Sequence, residues 1–506
     1  MISYESCNQI KLEEFKTPFE MNLNNDNRWV KLSVLLPWDD LVSVYTSKMS
    51  ITQGRASISP RVVIGSLFIK HRLNLSDEET VEQIRENPYL QFFIGNLEFK
   101  DEYPFVPSLF VEIRKRLGFD EFDKINDAII AQSILLKSKF KQKAITKKPK
   151  ANDNNKEDKN NDNNKDGGIS HKGKIIIDAT VAEQSIKFPT DLDLLNNSRE
   201  FTEKIIDILY SKLKLQKKPR TYRRRARKEF LSIIKQKKKK RNVLRKVIRK
   251  QLGYLTRNIK TISFLFSEVR EIEEFPLSYK LLYKYWIIQT IKAQQEEMYL
   301  TRSNKCDDRI VSISQPFVRP ILRGKSNKKT EFGSKLGVSL VDGYAKVDTL
   351  SWNAYNESSD LLKQVANYKN NYGFYPEVVI ADNIYGSRAN RKELKNLGIR
   401  FSGKPLGRMK KITDENKDSI KRERELRKKE YRERIPVEGK FGQGKNGYRL
   451  NYIRAKTKRT SESWISSIFF VMNIVKMVKE ITILLCLIII KKIFEKIYKI
   501  NKVQYI

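Results

Sequence analysis

Apolar and polar residues alternate over the first 150 positions with the period of amphipathic helices. Ser59-Pro60 is a helix start, because proline is favoured at the first helical position. The run from Ser76 to Glu79 is a capping box that begins the next helix, and Ser108 is placed to cap a third. The first two helices fit either a DNA-reading helix-turn-helix or an ordinary bundle. The pattern predicts an all-α N-terminal domain over residues 1–150, with DNA binding as its expected role.

A polar segment separates this region from the next apolar one. Residues 151–168 contain no apolar side chain except Ala151, so they cannot bury anything and are predicted to be a disordered linker. Order is predicted to resume at Lys174. The run 175–177, three isoleucines followed by Asp178, is typical of a short buried strand that ends at a carboxylate.

The helical period returns from residue 198 to residue 295, now with a strong excess of cations. Residues 217–228 and 235–250 carry most of them, and Leu244, Val247 and Leu252 keep an apolar helical face through the second block. One face can therefore pack while the other follows DNA phosphates, although a solvated charged face is the alternative. We predict a basic helical insert at about 198–325.

Strand patterns follow the insert. Residues 332–341 and 344–352 flank Asp342-Gly343, a hairpin turn signal. Two shorter strands are predicted at 377–381, which ends at Asp382, and at 399–401. With the insert removed, the order of strands and helices is that of a ribonuclease H-like domain. The sequence thus predicts an α/β fold with a ribonuclease H-like catalytic domain over residues 169–480.

The amino-acid composition limits the partners that the protein can bind and the residue types that can serve in catalysis. The chain has 100 Lys and Arg against 60 Asp and Glu, a net charge of +40 that favours a polyanionic partner, although a Lys- and Asn-rich compositional bias also raises it. The three cysteines lie far apart, which argues against a disulfide framework and against a structural zinc site, and there are only two histidines. Catalysis must therefore depend on carboxylates, hydroxyls or basic groups.

Neither end of the chain predicts a membrane protein. Residues 1–15 are polar and acidic, unlike a signal peptide. The apolar run 481–490 is too short to span a bilayer, so residues 481–506 are predicted to form an apolar and basic helix at an interface or in the core. We expect a cytoplasmic, nucleoid-associated protein without a membrane partner.

Asp178 and Asp382 share one context, since each follows a predicted buried strand. Functional sites collect at such strand ends in α/β sheets. Two neighbouring carboxylates repel each other, and Mg²⁺ or Mn²⁺ with oxygen ligands would relieve this. The alternative is that each aspartate only ends a strand or caps a turn.

A third carboxylate lies in the segment 431–445. Tyr431, Arg434, Glu438 and Lys445 follow one another at helical offsets, and Arg434 and Glu438 would share one helix face. A carboxylate for a metal beside cations for a phosphate suits phosphoryl transfer. An exposed Arg–Glu pair on a charged helix is the alternative. Because proline disrupts a helix interior, we predict that the helix restarts at Pro436.

The spacing Tyr-x2-Arg-x3-Glu-x6-Lys, together with the segments 177–180 and 381–390, resembles the DDE transposases of bacterial insertion sequences. The resemblance implies that the catalytic residues Asp178, Asp382 and Glu438 hold two Mg²⁺ or Mn²⁺ ions. It also implies that Tyr431, Arg434 and Lys445 bind DNA phosphate beside the scissile bond.

The same resemblance implies what the protein acts on. Its partners would be double-stranded DNA, both the ends of its own mobile element and a target, and a homodimer would act on the paired ends. The reaction would be cleavage followed by strand transfer. Two alternatives are a DNA-binding protein without catalysis, either inactive or domesticated, and a structural RNA-binding protein. The second of these does not explain two carboxylates at strand ends.

Overall fold

The computed structural model describes residues 16, 22–47, 49, 57–145, 170–269, 275–322, 330–407, 413 and 415–503. The predicted linker 151–168 and the N-terminal segment 1–15 lie outside the described residues.

Helices make up the N-terminal part, and their starts follow local capping. They are α1 (Arg28–Leu35), α2 (Trp38–Thr46), α3 (Pro60–Leu73), α4 (Asp77–Glu86), α5 (Pro88–Ile94), α6 (Leu109–Arg116) and α7 (Phe119–Ile145). The helix start at Pro60 is confirmed, and so is the capping box, in which Ser76 Oγ accepts a hydrogen bond from the backbone N–H of Glu79 at 3.0 Å. The side-chain cap expected of Ser108 is wrong, because Ser108 has helical dihedral angles rather than the extended ones of a capping residue.

A mixed sheet forms the centre of the chain, so the fold is mixed α/β. Its strands within the described residues are β1 (Lys174–Glu183), β2 (Arg319–Leu322), β3 (Thr330–Val341), β4 (Tyr344–Ser351), β5 (Val378–Ala381) and β6 (Arg400–Phe401). β1 pairs antiparallel with β3 on one side and parallel with β5 on the other, and β6 lies parallel to β5 beyond it. β2 and β4 share the remaining edge of β3, where Asp342 forms the predicted hairpin turn with a φ of 49°.

β1 is longer than the sequence predicted. It does not end at Asp178 but continues to Glu183, because β3 pairs with it along that whole stretch. The pairing depends on Gly333, where a Cβ atom would lie 1.8 Å from the carbonyl oxygen of Ala182. Asp178 therefore lies within a strand, whereas Asp382 does follow the end of β5.

The insert between β1 and β2 is helical, as predicted, although it begins earlier than residue 198. Its helices are α8 (Asp191–Lys212), α9 (Arg223–Ile234), α10 (Arg241–Ser267) and α11 (Tyr279–Thr301). Thr190 caps α8 by accepting a hydrogen bond from the backbone N–H of Asp193 at 3.1 Å. Apolar side chains from α8, α10 and α11, among them Leu195, Leu255 and Ile288, form clusters within the insert.

The remaining helices complete the fold and join its two ends. They are α12 (Leu361–Tyr372), α13 (Arg388–Asn396), α14 (Lys417–Glu433), α15 (Ile435–Gly442) and α16 (Lys458–Val503). α16 packs against the N-terminal helices and the sheet in one hydrophobic core. Asn473 of α16 exchanges two hydrogen bonds with the backbone of Ala345 on β4, at 3.0 and 2.8 Å. The core thus crosses residue 150, and the division into separate domains stays a prediction.

Most of the C-terminal apolar run does not lie in the core, which was one of the two positions predicted for it. In the run 481–490, Ile481 is buried, but Ile483 and Leu487 are exposed, because α16 extends past the edge of the helical core. None of the described helices combines the length and the apolar character needed to cross a membrane.

His71 on α3 is buried against α16 and should make stability depend on pH. Its Nε2 is 2.8 Å from Ser467 Oγ, and its ring meets Trp464 edge-on. Burial, with Lys70 and Arg114 nearby, lowers the pKa of His71 well below its usual value of 6.5. Below pH 6.5 His71 is therefore protonated in the unfolded chain but stays neutral in the folded chain. The free energy of unfolding consequently falls on acidification.

Replacing His71 with Gln should accordingly reduce the acid sensitivity. Between pH 6.5 and pH 5 the wild type is expected to lose up to about 2 kcal/mol of unfolding free energy through this residue. Urea unfolding at pH 7 and pH 5 would measure it. His171, the other histidine of the chain, gives the matched control His171→Gln, which should keep the acid sensitivity. Equal pH dependence in wild type and His71→Gln would contradict the assignment.

Candidate functional site

The strand register brings Asp178 and Asp382 side by side. Ile177 on β1 lies opposite Ala381 on the parallel strand β5, and the next residue after each of them is an aspartate. Neighbouring strands of a sheet run about 4.8 Å apart, so the two aspartates lie close together. Asp178 Oδ1 accepts a hydrogen bond from the backbone N–H of Ala179 at 2.8 Å. Asp382 Oδ1 accepts one from the N–H of Asn383 at 2.6 Å and so caps the short 3-10 turn that follows β5. The second carboxylate oxygen of Asp382, Oδ2, lies 3.3 Å from Arg434 Nη1.

Arg434 joins Glu438 to this pair. α14 ends at Glu433 and α15 begins at Ile435 with Pro436 in its first turn, which confirms the predicted restart of the helix. Arg434 stands at the junction, with Nη2 2.6 Å from Glu438 Oε1 and Nη1 3.3 Å from Asp382 Oδ2. A single guanidinium therefore connects carboxylates from the sheet and from α15.

The charges at this place are strongly coupled. Burial raises the pKa of Asp178, and Glu357 and Asp382 raise it further, against the Ala179 N–H and Arg434, which lower it. Burial would lower the pKa of Arg434, but Glu438, Asp178 and Asp382 together raise it. The structure thus concentrates negative charge around one cation.

Two ion pairs join α14 to the sheet. Arg400 on β6 pairs with the buried Glu430. Lys174 at the start of β1 pairs with Glu433 at 2.9 Å. Neither ion pair was predicted from the sequence, and the partners of the second pair lie more than 200 positions apart, so they leave no local signal.

The other two predicted DNA-binding residues, Tyr431 and Lys445, have different neighbours. Tyr431 is exposed on α14, and the guanidinium of Arg434 lies 5.9 Å from its ring centroid. Lys445 lies in the short π-helical turn Gln443–Gly447, where its Nζ is 3.5 Å from the buried carboxylate of Glu331 on β3. The structure therefore brings Tyr431 to Arg434 and directs Lys445 toward β3. The phosphate-binding role of these residues stays a prediction.

Two further residues near Asp178 were missed by sequence reasoning. Tyr385 is fully buried, and its hydroxyl has no hydrogen-bond partner among the described residues. Burial, Glu357 and Asp178 raise its pKa, so the hydroxyl stays protonated beside the carboxylates. Glu357 pairs with Lys335 at 3.1 Å. Tyr385 lies within the segment 381–390 that carried the family resemblance, and this was the available signal.

Carboxylates are suitable ligands for a divalent metal ion, but the described side chains are not arranged as a metal site. Across the described ranges, no three His, Cys, Asp or Glu side chains are grouped so as to hold a metal ion. Arg434 instead bridges Asp382 and Glu438. Carboxylate oxygens are the ligands that Mg²⁺ and Mn²⁺ prefer, and these carboxylates already surround one positive charge. The oxygen donors therefore suit such an ion in their chemistry, while in this structure the guanidinium of Arg434 lies between Asp382 and Glu438.

A cavity of about 870 Å³ opens beside these carboxylates. Asp382 and Arg434 line one end, and α14 contributes Arg424, Arg427 and the exposed Tyr431. The cavity combines cations with an aromatic ring at the edge of the acidic centre. Such a surface can hold a phosphate chain and stack a base.

Two family models match the chain. A model described as "Transposase DDE domain" matches residues 379–475, and one described as "Transposase domain (DUF772)" matches residues 18–116. The two matches support a DDE transposase of the insertion-sequence type. Transposases act on DNA, and the family in general uses divalent metal ions.

A curated relative supports a shared origin without adding a function. The chain is 30% identical over 124 residues to the "Uncharacterized protein ORF8 in nfe locus" of Rhizobium meliloti. That alignment covers 24% of this chain and 59% of the relative, so the chain spans less than two thirds of the relative's length. No solved structure matches the chain.

Some of the candidate residues lie inside the matched ranges, and one lies outside them. Asp382, Arg434, Glu438 and Lys445 lie inside the stretch 379–475. Asp178 lies outside both matched ranges. Its assignment depends on the β1–β5 register and on its electrostatic interaction with Asp382 and Arg434.

Proposed function

We propose that this protein binds the ends of its own mobile element, nicks them by hydrolysis and joins the 3′-hydroxyl to target DNA. The observation that carries the proposal is the position of Arg434, which connects Asp382 and Glu438 beside Asp178. Carboxylates from β1, from the turn after β5 and from α15 interact with one positive charge, beside a cavity lined in part by cations.

Asp178, Asp382 and Glu438 are the proposed ligands of two Mg²⁺ or Mn²⁺ ions. Such ions, when bound, activate the attacking oxygen and stabilise the leaving oxygen of an in-line displacement. The chain's own contribution is to hold the three carboxylates on rigid elements. β1 and β5 fix the aspartates through their register, and α15 fixes Glu438 one turn after Arg434.

Arg434 is the proposed phosphate ligand beside the scissile bond. In the described structure its guanidinium satisfies the carboxylates, and a DNA phosphate would compete for the same N–H donors. Tyr431 lies next to it and can stack on a base. Lys445 can reach phosphate only by leaving Glu331, which is buried on β3.

The sheet supports a ribonuclease H-like core as the framework of this site. Its strand order is β2-β3-β1-β5-β6, with antiparallel pairing on the β3 side of β1 and parallel pairing on the β5 side. The helical insert enters after β1, between the first two proposed catalytic carboxylates. Its cationic blocks at 217–228 and 235–250 are the proposed surface for DNA phosphates, with two copies acting on paired ends.

The experiment that tests the proposal is cleavage of labelled DNA carrying the element's terminal sequences. Wild-type protein should nick the ends in Mg²⁺ or Mn²⁺ and should stop when a chelator removes the metal. Asp382→Asn should bind the same DNA and leave it intact. Wild-type protein that binds ends but never cuts them in either metal would identify a DNA-binding protein without catalysis.

A further inference from the structure

α11 presents a line of exposed residues on the outside of the insert. Tyr279, Tyr283 and Trp286 form its first half, with Tyr279 78% and Trp286 54% exposed. The two tyrosine rings stack on each other with centroids 6.4 Å apart. Thr290, Ala293, Glu297 and Leu300 continue the line.

The spacing of this line is that of a helix pairing seam. Its positions follow one another at intervals of four and three residues over the full length of α11, about 30 Å at 1.5 Å per residue. A repeat of seven residues with positions alternating in this way is what brings one helix alongside another. We call this line the α11 stripe.

The opposite face of α11 is already used. Ile287, Ile288 and Ile291 are buried in apolar clusters with residues of α8 and α10. The helix is thus anchored to the insert, and the α11 stripe is the face left to solvent. Single exposed apolar residues are ordinary on a protein surface, but an aromatic line with a seam spacing typically marks an interaction site.

Charge indicates which partner fits. The exposed Lys280 lies at the first end of the stripe, and the exposed Glu297 lies near the other end. An antiparallel pair of α11 helices places Lys280 of one copy at the end that carries Glu297 of the other. A parallel pair would instead set like charges against each other, which is unfavourable.

DNA fits this surface less well than a second copy does. Glu297 lies in the stripe itself, and Glu296 beside it pairs with Lys292 at 2.7 Å. Carboxylates in this position repel phosphates. The dense cationic runs of the insert lie elsewhere, on α9 and at the start of α10.

We propose that the α11 stripe is a self-association surface that pairs two copies of this chain through antiparallel α11 helices. This inference adds a surface to the proposed action of two copies on paired DNA ends. Only the biological role of the dimer rests on that proposed function. Self-association is measured without DNA or metal, so its failure is distinguishable from a failure of cleavage.

The first experiment measures the mass of the full chain in solution by sedimentation at several concentrations. Wild type should reach the mass of a dimer, and Trp286→Glu should raise the dimer dissociation constant by roughly 30-fold, as removal of a central aromatic anchor does. Val34→Glu on α1 is the matched control, since Val34 is 76% exposed and lies outside the stripe. It should leave dimerisation unchanged. Circular dichroism must show the same helix content in all three proteins.

The second experiment tests the antiparallel orientation by charge exchange. Lys280→Glu and Glu297→Lys should each weaken the dimer several-fold, and the double variant should recover it. A wild type that stays monomeric at 100 µM or so, a dimer that Trp286→Glu leaves intact, or a double variant without recovery would overturn the proposal. So would a loss of DNA affinity in Trp286→Glu without any change in mass, which would make the stripe a DNA surface.

Discussion

Glu438→Gln should bind terminal DNA as tightly as the wild type and fail to cut it. The substitution keeps the size of the side chain and its hydrogen-bonding capacity but removes the negative charge that a divalent metal needs. The cleavage rate in Mg²⁺ or Mn²⁺ is expected to fall at least about 10³-fold, several kcal/mol of transition-state stabilisation. Binding by gel shift and single-turnover cleavage of the same labelled DNA separate the two effects.

Glu433→Gln is the matched control for this loss. Glu433 ends α14, and its carboxylate pairs with Lys174 rather than with Arg434. Since partly exposed ion pairs contribute about 1 kcal/mol or less, this variant should fold and should cleave within a few-fold of the wild type. The opposite pattern, an active Glu438→Gln and an inactive Glu433→Gln, would transfer the proposed ligand role to Glu433.

Lys445→Ala distinguishes a phosphate contact from a metal ligand. The variant should keep its response to Mg²⁺ concentration and lose about 10²-fold in cleavage rate, as small misplacements of a reacting group do. A loss of thermal stability without a loss in rate would assign Lys445 to its ion pair with Glu331 instead.

The parts of this site that the sequence predicted are those with a local cause. The restart of the helix at Pro436 follows from the missing N–H of proline. The hairpin at Asp342 follows from its turn dipeptide. The offset of four between Arg434 and Glu438 does place them on one face, and the guanidinium contacts that carboxylate.

The parts that sequence reasoning missed depend on partners far along the chain. β1 extends past Asp178 because β3 pairs with it, and nothing near residue 183 indicates that β3 reaches so far. The ion pair of Lys445 with Glu331 likewise joins residues more than 100 positions apart, and no local pattern indicates it. The contact between Arg434 and Asp382 also joins the end of α14 to the end of β5, about 50 positions earlier in the chain. A spacing rule predicts neighbours on one element, but not which elements meet.

The cationic run at residues 237–241 should supply much of the affinity for DNA of any sequence. These side chains are exposed where the chain passes from α9 into α10, so they can reach phosphates without disturbing an apolar contact. Each phosphate contact releases about 0.9 counterion from duplex DNA. Neutralising all five residues should therefore lower the salt slope by up to about 4 and reduce affinity at low salt by on the order of 10²-fold.

Replacing the lysines at 237–240 with arginine is the control that keeps the charge and changes the side chains. Both affinity and salt slope should then stay close to those of the wild type, since counterion release depends on charge rather than on the shape of the cation. The measurement is binding to a random duplex between 50 and 200 mM salt. A neutral variant with unchanged affinity and slope would assign this run to solvent, and the proposed DNA surface of the insert would have to lie at residues 217–228 instead.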